Sequence, residues 1–150
     1  MFQKILVAVD VSERAVAVFD AAAALAEKLG ATLRVVQVIS VPAEFPPAAA
    51  ASHVDPLPAH LTALAVRYLK ELAERAPLIA TDEPIVAVGQ PWRAILDTAR
   101  ELDADLIVVG SHGYHGWDRV LGTTAGKVAN LADRSVLVVH ERKPAEAEAQ

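Results

Sequence analysis

The chain reads as an α/β domain with a parallel sheet, and three observations predict it. Five short runs rich in Val, Ile and Leu recur along the sequence, and segments of helical periodicity separate most of them. The runs are continuously apolar rather than alternating, as in strands buried on both faces. Strands bridged by helices pair in parallel, because a crossover returns the chain to the same end of the sheet. Helices are therefore expected on both faces.

The first strand is Lys4 to Val9, with Ile5, Leu6, Val7, Ala8 and Val9 as its apolar run. Ser12 follows as a candidate N-cap. Ala15, Val18, Phe19, Ala22, Leu25, Ala26 and Leu29 then keep helical spacing up to a stop at Gly30. Thr32 to Ile39 is the second strand. The second helix is expected to carry Leu61, Leu64, Ala65, Tyr68, Leu72 and Ala76 on one face. Ile85 to Val88 makes a short third strand, and Trp92, Ile95, Leu96, Ala99 and Leu102 mark the third helix. Leu106 to Gly110 is the fourth strand. A helix from about Thr123 to Leu131 precedes the fifth, Ser135 to His140. Residues 42–58, with five prolines around an Ala run, read as a long loop, and the polar stretch 141–150 as a frayed tail. Residues 1–140 are expected to form a single domain, without internal repeats.

Composition narrows the function. The 150 residues suffice for one domain with its own core. A net charge of −5 argues against a nucleic-acid surface, which needs clustered Lys and Arg. The absence of Cys removes disulfides, thiolate zinc sites and thiol catalysis, and suits a reducing cytoplasm. No signal-peptide core precedes Asp10, and no apolar run approaches the ~20 residues of a membrane span. A cytoplasmic protein without membrane or nucleic-acid partners is the expectation.

The stretch carrying most chemistry is Gly110-Ser-His-Gly113, followed after eight residues by Gly122-Thr123-Thr124. It leaves a buried strand and opens onto a helix. Glycine permits positive φ and close approach of a ligand to the backbone. Unpaired N–H groups at a helix start point at an anion. Together they suggest a phosphate cradle, although the same glycines suit ordinary turns. Asp10, closing the first strand, suits ribose hydroxyls or a water-bridged Mg²⁺, and equally a carboxylate flanking a helix start. His112 and His115 lack a third ligand nearby and read as solvated, not metal-bound. Arg119 either neutralises phosphate, pairs with Asp118 or faces water. Lys127 reads as a surface residue and Trp92 as packing, while Trp117 is either an anchor or a contact. Gly122 to Lys127 is not a Walker A loop, since three residues separate its glycines and Val128 follows the Lys.

Six pieces in order now resemble the universal stress protein family. They are Ile5-Leu-Val-Ala-Val-Asp10-x-Ser12, Val36-Gln-Val-Ile39, Val88-Gly-Gln-Pro91, Ala104 through Gly113, Leu121-Gly-Thr-Thr124, and Ser135 through Val139. The resemblance covers roughly residues 2–140. It implies a five-stranded parallel sheet in order 3-2-1-4-5, a Rossmann-like, adenine nucleotide alpha hydrolase-like fold with helices on both faces. It also implies a homodimer through the fifth strand, Val136, Leu137, Val138 and Val139. A bare apolar edge invites such pairing. By the same resemblance, ATP or AMP is the ligand, with Mg²⁺ as a companion. Asp10 would contact the adenine or ribose side and Val38 would line the adenine pocket through its backbone. Val109 and Gly110 would lie near the ribose, and Gly113, Gly122, Thr123 and Thr124 would hold phosphates.

In that strand order the chain reverses direction between the first and fourth strands, where open α/β sheets bind ligands. One departure stands out. Tyr114 to Leu121 is eight residues, one fewer than the nine of the family's ATP-binding pattern. A helix dipole contributes ~0.3–1 kcal/mol, up to ~2 in favourable geometry, whereas micromolar binding needs about 8. Loop amides, Thr hydroxyls and adenine burial must supply the rest. No residue set supports nucleophilic or metal-assisted catalysis, so the expected role is a stress-response regulator or adaptor, with at most slow ATP hydrolysis. The alternative is a nucleotide-free dimeric interaction module. A pyrophosphatase-type adenylyl transferase fits poorly, because Asp10-Val11-Ser12 stands where those enzymes carry Ser-Gly-Gly.

Overall fold

The computed structural model describes residues 1–40, 59–111 and 122–141. The strands are β1 (Lys4–Val9), β2 (Thr32–Ile39), β3 (Ile85–Val88), β4 (Leu106–Gly110) and β5 (Ser135–Val139). Between them run α1 (Ala15–Leu29), α2 (Ala59–Ala73), α3 (Pro91–Glu101) and α4 (Thr123–Leu131). All strands pair in parallel in the order β3-β2-β1-β4-β5, as the resemblance implied. Register sets Val7 beside Val35 on one side and Val108 on the other.

Two cores follow from the strand pleat, which sends successive side chains to opposite faces. Ile5, Val7, Leu33, Val35, Leu106 and Val108 pack against α1 and α2. Leu6, Val36, Ile107 and Val109 pack against α3 and α4. Right-handed crossovers explain the division. From β1 the chain steps through β2 to β3, then crosses back to β4 and on to β5. Reversing the direction moves the helices to the other face. The reversal opens a gap at the carboxyl ends of β1 and β4.

Local chemistry fixes the element ends. Gly30 closes α1 with φ 64° and ψ 31°, the left-handed cap expected of it. There the N–H of Ala31 reaches the carbonyl of Ala26 at 2.9 Å. Pro91 opens α3 at a position where its missing N–H costs nothing. Asp105 accepts the backbone N–H groups of Gln3 and Lys4 at 2.7 and 2.9 Å, tying the start of β4 to the start of β1.

Three expectations need correction. Ser12 is not the N-cap of α1: Arg14 holds that position without a side-chain cap bond, and Ser12 contributes its carbonyl to the N–H of Ala15 at 3.1 Å. In α2 the buried row is Ala65, Leu69 and Leu72, while Leu61 and Leu64 are exposed. Leu69 lies one turn beyond Ala65 and meets the sheet, so burial follows docking geometry rather than apolar content. The fifth strand ends at Val139, one residue short of His140. The proline-rich segment 42–58 and residues 142–150 of the tail lie outside the described residues.

Candidate functional site

A cleft of about 410 Å³ opens where β1 and β4 diverge. Of the residues singled out from sequence, Asp10, Val38, Val109, Gly110, Thr123 and Thr124 all line it. Gly122 is the N-cap of α4, directly before that rim. Gly113 lies outside the described residues, as do His112, His115, Trp117, Asp118 and Arg119.

Each wall has a traceable origin. The floor is apolar, from Ala8 and Val38 at the strand ends and Ile95 of α3. Pro91 and Ala15 bring in the starts of α3 and α1. Asp10 leaves β1 and folds back, its Oδ1 accepting the N–H of Ser12 at 2.8 Å. That bond fixes the carboxylate at the mouth of the cleft. Asp10 also acts across to α2. The Tyr68 phenol is pushed above its ordinary pKa, first by burial and then by the Asp10 charge.

The opposite rim is the start of α4. Gly122 adopts φ −53° and ψ 156°, an extended entry that turns the chain into the helix. Its carbonyl takes the first helical bond, from Gly126 at 2.8 Å, so the preceding N–H groups of the first turn have no intrahelical partner. Thr123 and Thr124 add hydroxyls to the same rim. Amides, hydroxyls and a carboxylate around an apolar floor suit a ligand with a flat apolar body and an anionic end.

The glycines do not act as the sequence suggested. Among the described residues Gly30 and Gly89 have positive φ, whereas Gly110 and Gly122 do not. Gly110 is needed for packing: a Cβ there would sit 2.9 Å from Cγ2 of Val18. Its absence lets α1 close down on the end of β4, which shapes one cleft wall.

Sequence reasoning missed two neighbouring features. Lys127 places its Nζ 5.5 Å from the Trp92 ring centroid, joining α4 to the start of α3 beside Pro91. Gln37 is a buried polar residue on β2, and its Oε1 has no hydrogen-bond partner among the described residues. Neither has a motif; only the pairing of α3 with α4 and of β2 with β1 reveals them. Among the described residues no group of three or more His, Asp or Glu converges. Likewise, no described helix is long and apolar enough to cross a membrane.

Known proteins share this architecture. The family model described as the Universal stress protein family matches residues 1–140. Universal stress protein A homolog 1 of Coxiella burnetii is 33% identical over 142 residues, spanning 92% of this chain and 96% of its own. Universal stress protein YxiE of Bacillus subtilis is 31% identical, spanning 93% of this chain and 99% of its own. A crystal structure of a universal stress protein in complex with cAMP superposes with a TM-score of 0.66 at 28% identity, covering 93% of this chain and 97% of that one. The fold is the Rossmann-like, adenine nucleotide alpha hydrolase-like one.

Proposed function

The chain belongs to the universal stress protein family, and from that premise we propose that it binds an adenine nucleotide, ATP or AMP, in the cleft between β1 and β4. The observation carrying this reading is the convergence of Asp10, Val38, Val109, Gly110, Thr123 and Thr124 on one cavity at the sheet's switch point. The cAMP held by a relative of the same fold supports an adenine nucleotide as the ligand class.

In this reading the base lies over the apolar floor and meets the backbone of Val38. Asp10 accepts hydrogen bonds from the base or ribose side, and Val109 and Gly110 border the sugar. Phosphates meet the start of α4 through Gly122, Thr123 and Thr124, together with Gly113. Where Mg²⁺ accompanies the nucleotide, Asp10 holds it through water. Residues 1–140 act as one domain and 141–150 as a tail. Two copies join through β5, where Leu137 is exposed on an open sheet edge. The work is regulatory or adaptor-like, in the cytoplasm, with occupancy of the cleft as its signal.

Calorimetric titration with ATP and with AMP, alongside mass spectrometry of what co-purifies, tests this directly. Asp10→Ala is expected to weaken both nucleotides by about tenfold, since it removes a charged hydrogen-bond acceptor. If no nucleotide co-purifies and neither titration gives heat, the nucleotide reading is lost. The chain is then a dimeric interaction module whose shortened loop, eight residues instead of nine, does not admit phosphates.

A further inference from the structure

The described lining of the cleft contains one charged side chain, the Asp10 carboxylate. An anion entering this site therefore meets a charge of its own sign at the mouth. A cation that the described fold sets on the same side as this rim is on α4. Lys127 follows Thr123 by four residues, so both stand on one side of the helix, a turn apart. Helical side chains tilt toward the N-terminus, and a turn rises only ~5.4 Å. A four-carbon stem on Lys127 can thus bring its ammonium level with the first turn of α4.

That ammonium also has an aromatic partner. It rests 5.5 Å from the centroid of Trp92, which follows the cleft-lining Pro91. Lys127 is otherwise exposed, with no ion pair among the described residues, while Trp92 is half-buried against the α3/α4 core. An exposed cation–π contact is a weak hold, whereas a charge-assisted hydrogen bond to phosphate is among the stronger polar contacts.

On the premise that the cleft takes a nucleotide, we propose that Lys127 is the phosphate-sensing residue of this site. Its two partners are the Trp92 ring and the phosphate, and a bound phosphate draws the ammonium from the first to the second. Occupancy by a phosphorylated ligand then strips the cation from Trp92 and frees the indole face at the junction of α3 and α4. A nucleoside without phosphate leaves the contact in place. Discrimination between nucleotide and nucleoside follows from one side chain, and so does a change that can be read at the surface.

The test compares AMP with adenosine in calorimetric titrations of the full chain, its Lys127→Met variant and its Lys127→Arg variant. Lys127 is exposed, so the substitutions are compatible with folding. Lys127→Met is expected to weaken AMP about tenfold, leave adenosine unchanged and flatten the salt dependence of AMP binding, while Lys127→Arg retains most of the affinity. In a Trp117→Phe background, Trp92 is the remaining indole, and its emission is expected to respond to AMP but not to adenosine. Equal AMP affinity in the parent and Lys127→Met overturns the Lys127 role and leaves the nucleotide reading standing. Equal losses for AMP and adenosine also overturn it, since Lys127 would then act through packing. A parent chain that binds neither ligand removes both readings.

Discussion

At the scale of single residues, Gly110 shows how a motif glycine can have two separate reasons. Sequence alone reads it as a backbone position open to a ligand, and it does line the cleft. Its necessity, however, comes from Val18, whose Cγ2 would lie 2.9 Å from any Cβ placed there. Val18 is buried on a helix, and a β-branched side chain in a helix has one strongly preferred χ1. Turning it aside means leaving that preferred rotamer inside a filled core. Gly110→Ala is therefore expected to cost about 1–3 kcal/mol, the range for overpacking a filled core. The double variant Gly110→Ala with Val18→Ala should be more stable than the sum of the single effects predicts, because the second change removes the clash. Urea unfolding of the four proteins measures the coupling; strict additivity would show that the crowding is relieved elsewhere. The sequence could name Gly110 as a site residue but could not supply this reason. The contact joins residues far apart in the chain, and no local pattern encodes it.

At the scale of elements, nearly all strands and helices were legible, because continuous apolar runs and 3.6-residue spacing survive in the sequence wherever an element is buried. What was not legible was how elements are fastened. Arg134 sits in the short link between α4 and β5, where sequence offers only a polar residue before a strand. In the fold its Nη1 donates to the carbonyls of Ala99 and Ala104, at 2.9 and 2.8 Å. Its Nε donates to Asp133 at 2.9 Å. The guanidinium thus ties the end of α3 and the approach to β4 to the start of β5. β5 is an edge strand with β4 as its neighbour, so this clamp matters more there than it would at the centre. Arg134→Met is expected to destabilise the protein by about 2 kcal/mol, the scale of hydrogen bonds from a charged donor. Arg134→Lys should recover only part of this, since one ammonium can serve the two carbonyls that Nη1 reaches but cannot also keep the Nε bond to Asp133. Amide hydrogen exchange localises the effect: Val136 to Val139 should exchange faster through local opening, with β1 following global unfolding. Uniform acceleration across all five strands would contradict a clamp on one edge. The same limit explains α2, where the apolar set was visible but the row that meets the sheet was not. It also explains the cleft: its members were legible as residues, and their convergence needed the strand order.

At the scale of the whole molecule, the net charge of −5 conceals a set of carboxylates that the fold holds ionised. Asp20 is held below its ordinary pKa of 3.8 by a forked pair with Arg75, whose Nε and Nη2 donate at 2.8 and 2.7 Å. The Asp105 carboxylate is lowered by the N–H groups of Gln3 and Lys4. Asp133 is lowered by Arg134. The first two sets of bonds join distant parts of the chain, α1 to the turn after α2 and β4 to β1, while the third lies between neighbours within the clamp at β5. The sign is common to all three. A carboxylate with a depressed folded pKa binds its proton more weakly when folded, so it stabilises the fold at any pH above its unfolded value. That contribution is lost as pH falls from about 4 through the lower folded values. Stability should therefore be nearly flat from neutral pH down to roughly 5 as far as these groups decide it, and then decline in acid. Asp105→Asn isolates one of them, because the amide keeps the shape but carries no charge at any pH. The variant is expected to be less stable than the parent at pH 7 and to converge with it as acid protonates Asp105 in the parent. Unfolding free energies measured by denaturant at a series of pH values from 7 to about 2.5 trace both curves. Curves that stay parallel to the lowest pH would mean that Asp105 gives the β1–β4 junction shape alone, and that its charge has no part in holding the two strands whose carboxyl ends frame the cleft.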